Sequence, residues 1–126
     1  MEKVAQCMCG QFLAVVSGEL KSVAMCHCLA CKRRSGSAFA YNAFFQTSDV
    51  RLEGTYKVHE CEGQKGHKIE RHFCPQCGTT VYSKTGKFPG ICNIPIDAFA
   101  DPHFPPTAGL ALRRVDARMG RPPTRH

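Results

Sequence analysis

A chain of 126 residues, 43% hydrophobic with eight Phe, three Tyr and no Trp, has material for one domain and one modest core. It holds no run of 18 apolar residues, which excludes a membrane-spanning helix. The opening MEKVAQCMCGQF lacks the basic-then-apolar order of a secretory signal, so a cytoplasmic location is expected. Of the formal charge of +7, the last 14 residues carry +4 (five Arg, one Asp), so the body is only weakly basic and nucleic acid is not an expected partner.

Period-2 alternation runs through most of the chain, and no window of a dozen residues shows a helical stripe. The first feature is Cys7–Met8–Cys9–Gly10, a cysteine pair on a tight turn. QFLAVV (11–16) and LKSVAM (20–25) read as strands, with Ser17-Gly18-Glu19 between them predicted as a hairpin turn. CHCLACKRRSG (26–36) follows, three cysteines in six positions and then Lys32, Arg33 and Arg34. One helical turn is predicted over Leu29–Arg34, with Gly36 as its C-cap. AFAYNAFF (38–45) puts Phe39, Tyr41, Ala43 and Phe45 on one strand face. Short strands are predicted at 50–58, 67–73, 79–83 and 88–94, with EGQKG (62–66) as a loop between two of them. From about Pro105 the chain turns Arg- and Pro-rich. Residues 113–126 have only three hydrophobic side chains and form an expected tail, mobile or ordered only against the body or a neighbouring chain. The body, residues 1–112, is the expected domain: mainly antiparallel β, with loops carrying the cysteines and little helix.

Nine cysteines in a reducing compartment are not a disulfide framework. Seven of them fall in short-range sets, C-x-C, C-x-C-x-x-C and C-P-x-C-G, a spacing that lets sulfurs on one turn face one ion. Two partitions fit. Cys28/Cys31 with Cys74/Cys77 would make a zinc ribbon and strand Cys7, Cys9 and Cys26. Alternatively Cys7/Cys9 join Cys74/Cys77 in a closed four-thiolate site, and Cys26, Cys28 and Cys31 bind a second ion alone. Closed sites are structural, whereas an open coordination position is what catalytic zinc keeps. The triad could also be closed by a fourth protein ligand, for which His59, His67, His72, His103, Cys61 and Cys92 are the candidates. His27, between two ligands, is expected to pack rather than ligate, and Cys61 and Cys92 stand alone as small hydrophobes.

CMCG, CHCLACKRRSGSAF, RHFCPQCGTTVYS and IPIDAFADP, in that order from Cys7 to Pro102, resemble the glutathione-dependent formaldehyde-activating enzyme family (Gfa, with CENP-V as a relative). The resemblance implies a β-tent of packed antiparallel sheets and two zinc ions per chain. It places a structural zinc on Cys7, Cys9, Cys74 and Cys77 and a catalytic zinc on Cys26, Cys28 and Cys31, so it selects the second partition. After Pro102 the chain departs from the family pattern, which continues with His and Trp residues. The implied activity is a carbon–sulfur lyase reaction, the formation and cleavage of S-hydroxymethylglutathione. Lys32, Arg33 and Arg34 sit beside the triad, where they could grip the carboxylates of glutathione or a similar thiol. The rival expectation is a non-catalytic, zinc-stabilised binding module whose basic tail contacts an acidic partner.

Overall fold

The computed structural model describes residues 2–63 and 66–104, and the backbone of 112–115. Three strands, β1 (Lys3–Gln6), β2 (Leu13–Val16) and β5 (Val50–Glu53), make a small antiparallel sheet in the order β1-β2-β5. The larger sheet takes β3 (Ser22–Cys26), β4 (Ala40–Gln46), β6 (Lys57–Glu62), β7 (Lys68–Phe73), β8 (Thr80–Thr85), β9 (Ile91–Pro95) and β10 (Leu112–Val115). Its order is β10-β3-β4-β9-β8-β7-β6, antiparallel except that β10 runs parallel to β3. The expected mainly-β fold with little helix is therefore observed. α1 (Leu29–Ser35) ends at Gly36, whose φ of 68° and N–H bond to the Lys32 carbonyl make the anticipated C-cap.

Two features depart from the sequence reading. Ser17-Gly18-Glu19 does not close a hairpin, because β2 and β3 lie in different sheets. The Ser17 N–H bonds the Asp49 carbonyl, extending the β2–β5 ladder, while the Lys21 N–H bonds the Phe44 carbonyl, starting the β3–β4 ladder. Gly18 lies against the Asp49 side chain at that crossing, in space a Cβ would fill. The expected strand at 50–58 is likewise two strands, β5 and β6, in the two different sheets. The break is Gly54, at φ 96° and pressed on the Gln11 carbonyl, where only glycine fits. Of the expected tail, residues 113–115 belong to β10, paired with β3, and residues 116–126 lie outside the described residues.

The core forms between the sheets. Ala5, Phe12, Ala14 and Val16 come from the small-sheet side and Ala43, Phe45, Val81, Tyr82, Cys92 and Ile94 from the large sheet. Burying Phe12, Phe45 or Ile94 stabilises by roughly 1.5–3 kcal/mol each. Val81 and Tyr82 are both buried because the ladder shifts there: Phe73 pairs with Thr80 and His72 with Tyr82, leaving Val81 as an extra residue.

The other face of the large sheet has a different character. Arg71, Ser83, Asn93, Phe44 and Ser22 occupy one cross-strand row. Alternation then places Asn42, Ala40 and Cys26 on that same face, opposite Phe45, Ala43 and Ile94. α1 leaves the end of β3 and contacts β4.

Candidate metal centres

Seven cysteines gather into two clusters, Cys7/Cys9/Cys74/Cys77 and Cys26/Cys28/Cys31, with the sulfurs of each within 4.8 Å of one another. This is the second of the two partitions, and the zinc-ribbon grouping is not formed. All nine cysteines are free thiols.

The four-sulfur cluster joins two knuckles of parallel construction. In the first, the Cys7 N–H bonds the Phe12 carbonyl and the Gly10 N–H bonds the Cys7 carbonyl; in the second, the Cys74 N–H bonds the Thr79 carbonyl and the Gly78 N–H bonds that of Cys74. Gly10 and Gly78 turn each knuckle at φ 84° and 80°, a conformation that side chains disfavour. Cys7 and Cys74 are buried, Cys9 and Cys77 exposed. N–H groups aim at the buried sulfurs: Phe12 donates to Cys7 Sγ at 3.3 Å, Gln76 to Cys74 Sγ at 3.4 Å, and Gln11 Nε2 to Cys74 Sγ at 3.0 Å. The Gln11 side chain is itself held at both ends by Thr55, donating to its carbonyl at 2.7 Å and accepting from its N–H at 2.9 Å. Gln11 carried no signal in the sequence, because its role depends on β5 and β6 parting at Gly54 beside it.

The second cluster is local. Cys26 ends β3, Cys28 is the N-cap of α1, and Cys31 lies in its first turn. The Cys31 N–H donates to Cys28 Sγ at 3.4 Å, and the Lys32 N–H bonds the Cys28 carbonyl at 3.0 Å, so the helix start fixes the C-x-x-C spacing. All three thiols are half-buried. No described His, Cys, Asp or Glu joins them as a fourth ligand. The candidate fourth ligands lie elsewhere: His72 packs between Tyr56 and Tyr82, Cys92 is in the core, His59 and Cys61 are on β6, and His67 and His103 are in loops. His27 stacks on Phe39 at 5.3 Å, as expected of a packing residue, with its Nε2 buried and unpartnered.

Both clusters fit zinc on their own geometry. Sulfurs about 2.3 Å from a tetrahedral zinc lie roughly 3.8 Å apart; Cys7–Cys9 and Cys9–Cys74 are separated by 3.6 and 3.7 Å, and Cys26–Cys28 by 3.4 Å. The thiols also resist ionising together, as like charges in one site must. The Thr79 hydroxyl draws Cys77 down to about 5. The Gln11 backbone lowers Cys9, but desolvation and the sulfurs of Cys7, Cys74 and Cys77 carry it up to about 11. In the second cluster the Cys31 thiol, bonding to Cys26, lowers Cys26, while Cys31 is raised, first by Cys26 and then by burial. A divalent cation removes that conflict in both places.

The three expected cations separate. Arg33 is exposed and Lys32 and Arg34 half-buried. Arg34 alone has a buried Nε, without a hydrogen-bond partner. Burial lowers its pKa first, Arg71 lowers it further, and the Cys31 and Cys26 sulfurs raise it. Arg71 was not anticipated, since nothing in RHF marks it before the sheet register is known.

Known proteins agree with this architecture. The sequence model of the glutathione-dependent formaldehyde-activating enzyme family matches residues 2–112. A crystal structure of a Rhodobacter sphaeroides protein shares the fold with a TM-score of 0.63 at 20% identity, covering 89% of this chain and 99% of that one. A search of the curated proteins finds no match. The chain belongs to the glutathione-dependent formaldehyde-activating enzyme family.

Proposed function

We propose that Cys7, Cys9, Cys74 and Cys77 hold a closed, structural zinc, and that Cys26, Cys28 and Cys31 hold a second zinc that accepts the sulfur of glutathione or a similar small thiol. The reaction we assign to that site is the formation and cleavage of the thiol's formaldehyde adduct, S-hydroxymethylglutathione in the case of glutathione, a carbon–sulfur lyase activity. The observation that carries this reading is the three-sulfur cluster without a fourth described ligand, in a chain of this family. Zinc bound there would act as the Lewis acid that keeps an incoming thiol deprotonated at neutral pH.

The chain's own residues account for the rest. Three thiolates donate heavily to one ion, which suits it to another thiolate better than to activating water. The α1 N-terminus fixes two of the three sulfurs relative to each other, so the site is set before substrate arrives. Arg34, beside Cys31 and Cys26, favours anionic sulfur there, while Lys32 and Arg33 on the same short helix supply further positive charge for the carboxylates of the thiol. In the forward direction the sulfur lone pair forms a C–S bond to the carbonyl carbon, the C=O π bond opens, and the thiol proton ends on the oxygen. The reverse step breaks that C–S bond and returns the proton to sulfur. No net oxidation occurs, so a redox cofactor is not required.

Such chemistry belongs in a reducing compartment such as the cytoplasm, where free thiols persist. No helix among the described residues is long and apolar enough to cross a membrane.

The test is comparative, because thiols and formaldehyde combine without help. Adduct formation and breakdown are followed with zinc-loaded native protein, with Cys28→Ser and with no protein, alongside calorimetric binding of glutathione and S-methylglutathione. Native protein should bind glutathione and exceed the uncatalysed rate; Cys28→Ser should do neither, and the S-methyl compound, whose thioether is a far weaker ligand, should not bind. Absence of both binding and acceleration in the native protein would overturn the enzyme reading in favour of a zinc-stabilised binding module.

A further inference from the structure

β5 ends the small sheet, with β2 on one side and no strand among the described residues on the other. The Ser17 N–H bonds the Asp49 carbonyl directly opposite it in the ladder. Asp49, Arg51 and Glu53 therefore turn their backbone groups toward β2, and Val50 and Leu52 turn theirs outward. The Val50 N–H is taken by the Thr47 carbonyl. Leu52 keeps both its N–H and its C=O at the open edge. An open edge of this kind is a template for another strand unless something blocks it. Two other edges are less suited. β1 is covered by the 3-10 turn Ile96–Phe99. β6 is longer, but Lys57 and His59 fall on one of its faces and Glu60 and Glu62 on the other, so two antiparallel copies would set like charges together.

β5 is patterned differently. Val50 and Leu52 pack against the core, half-buried. Arg51 and Glu53 stand on the solvent face, where the Arg51 guanidinium bonds the Glu53 carboxylate through two nitrogens, each at 2.8 Å. When two copies of one strand pair antiparallel, each face meets its own kind, so the pairing is centred on a residue that meets itself. Centred on Arg51 or on Glu53, it opposes like charges. Centred on Val50, it draws in the turn Thr47–Asp49 and needs an N–H that is already taken. Centred on Leu52, it sets Arg51 of each copy opposite Glu53 of the other, twice. The outward N–H and C=O of Leu52 then meet those of the other Leu52, and the two half-buried side chains gain an apolar neighbour. Arg51-Leu52-Glu53 is thus self-complementary about a two-fold axis, as an isologous contact requires.

We propose that β5 is a docking surface for a second copy of this chain. Two molecules join antiparallel about Leu52, which extends two three-stranded sheets into one of six strands. Arg51 and Glu53 of both chains then close a ring of four alternating charges on the solvent face, with neighbours across the junction at cross-strand contact distance. The strand has four residues, so the contact is small and the dimer weak, with a dissociation constant on the order of 10–100 µM. The proposal is independent of the thiol chemistry, since neither sulfur cluster contributes to this edge.

The experiment is analytical ultracentrifugation of the zinc-loaded full chain from about 5 µM to about 1 mM, a range that spans the expected constant. Native protein should pass from monomer to dimer, less readily at high salt, and the Leu52 amide hydrogen should exchange more slowly in the dimer. Arg51→Glu and Glu53→Arg each oppose like charges twice, so each alone should dissociate about tenfold or more readily than native protein. Mixed in equal amounts, the two variants should associate about as well as native protein, because each then meets its opposite. Arg51→Glu/Glu53→Arg in one chain should dimerise again for the same reason. Unchanged circular dichroism and zinc content show that the variants are folded. Native protein that stays monomeric across the range, single charge variants that dimerise as native protein does, or variants that fail to associate when mixed would each overturn the proposal.

Discussion

The two sulfur clusters use the same residue type and much the same spacing, yet the fold builds them oppositely. The four-sulfur cluster joins segments 65 residues apart in sequence, as between Cys9 and Cys74, and ties the turn between β1 and β2 to that between β7 and β8. Its buried sulfurs receive N–H bonds from Phe12, Gln11 and Gln76. The three-sulfur cluster spans residues 26–31 only and is half-buried throughout, and the Cys31 N–H donates to its Cys28 sulfur. A long-range, hydrogen-bonded, four-ligand site gives an ion to folding. A local, three-ligand site costs the fold little if it is empty and leaves a position for substrate. That difference, more than cysteine count, supports the proposed division into a structural and a reactive metal centre.

The sharpest way to break the comparison is to remove one ligand from each cluster. Cys74→Ser should abolish the cooperative thermal transition, since apparent structural zinc binding of about 10–16 kcal/mol rivals the whole stability of a small domain. Cys28→Ser should lose one zinc, retain its circular dichroism and melt within a few degrees of native. If both variants lose the same ion, or if Cys28→Ser is the one that unfolds, the assignment of roles is wrong.

A smaller effect should come from Gly54→Ala. The left-handed φ of 96° and the contact with the Gln11 carbonyl together should cost about 2–5 kcal/mol. Because Gln11 bonds Cys74, zinc release from the four-sulfur site should quicken in that variant, measured with a chromophoric chelator, while the three-sulfur site is unaffected. Gln11→Ala should have the same selectivity with a loss of about 1–3 kcal/mol, read by urea unfolding of the zinc-loaded protein.

Much of this contrast could be read in the chain. The cysteine pairs, the turn of helix and the C-cap at Gly36 are local features, set by residues within a few positions of each other, and local physics reaches them. What could not be read is which sheet each strand joins. Val16 and Leu20 flank a short polar turn just as a hairpin would, and only the Ser17–Asp49 and Lys21–Phe44 bonds show that the chain crosses between sheets there. Val50–Val58 looks like one strand until Gly54 is seen against Gln11. Arg71 and Gln11 were missed for the same reason: their relation to the sulfurs passes through pairing register, which no short motif encodes. The grouping of the sulfurs was legible; the residues that support and border them were not.

The smallest expected effect separates acid loss of metal from acid loss of core. His72 is buried between aromatic rings, and burial first and Lys84 second lower its pKa below 6.5. The neutral form is thus favoured in the fold. Its contribution to stability is complete above pH 6.5 and declines as pH falls from there toward the lowered folded value, because the unfolded chain takes up the proton first. His72→Phe should flatten the stability–pH curve in that window, read by urea unfolding of the zinc-saturated protein, leaving only the slope due to protonation of the zinc thiolates. An unchanged slope in His72→Phe would show that the thiolates alone set the acid sensitivity.

The most direct test of the central contrast is the cadmium NMR spectrum of protein in which the zinc ions have been replaced by cadmium-113. The account predicts two resonances of thiolate-rich cadmium, of which glutathione moves one and leaves the other in place. The resonance that moves should be the one missing from Cys28→Ser. A single resonance, two that ignore glutathione, or movement of the resonance that survives in Cys28→Ser would contradict an open three-sulfur site beside a closed four-sulfur one.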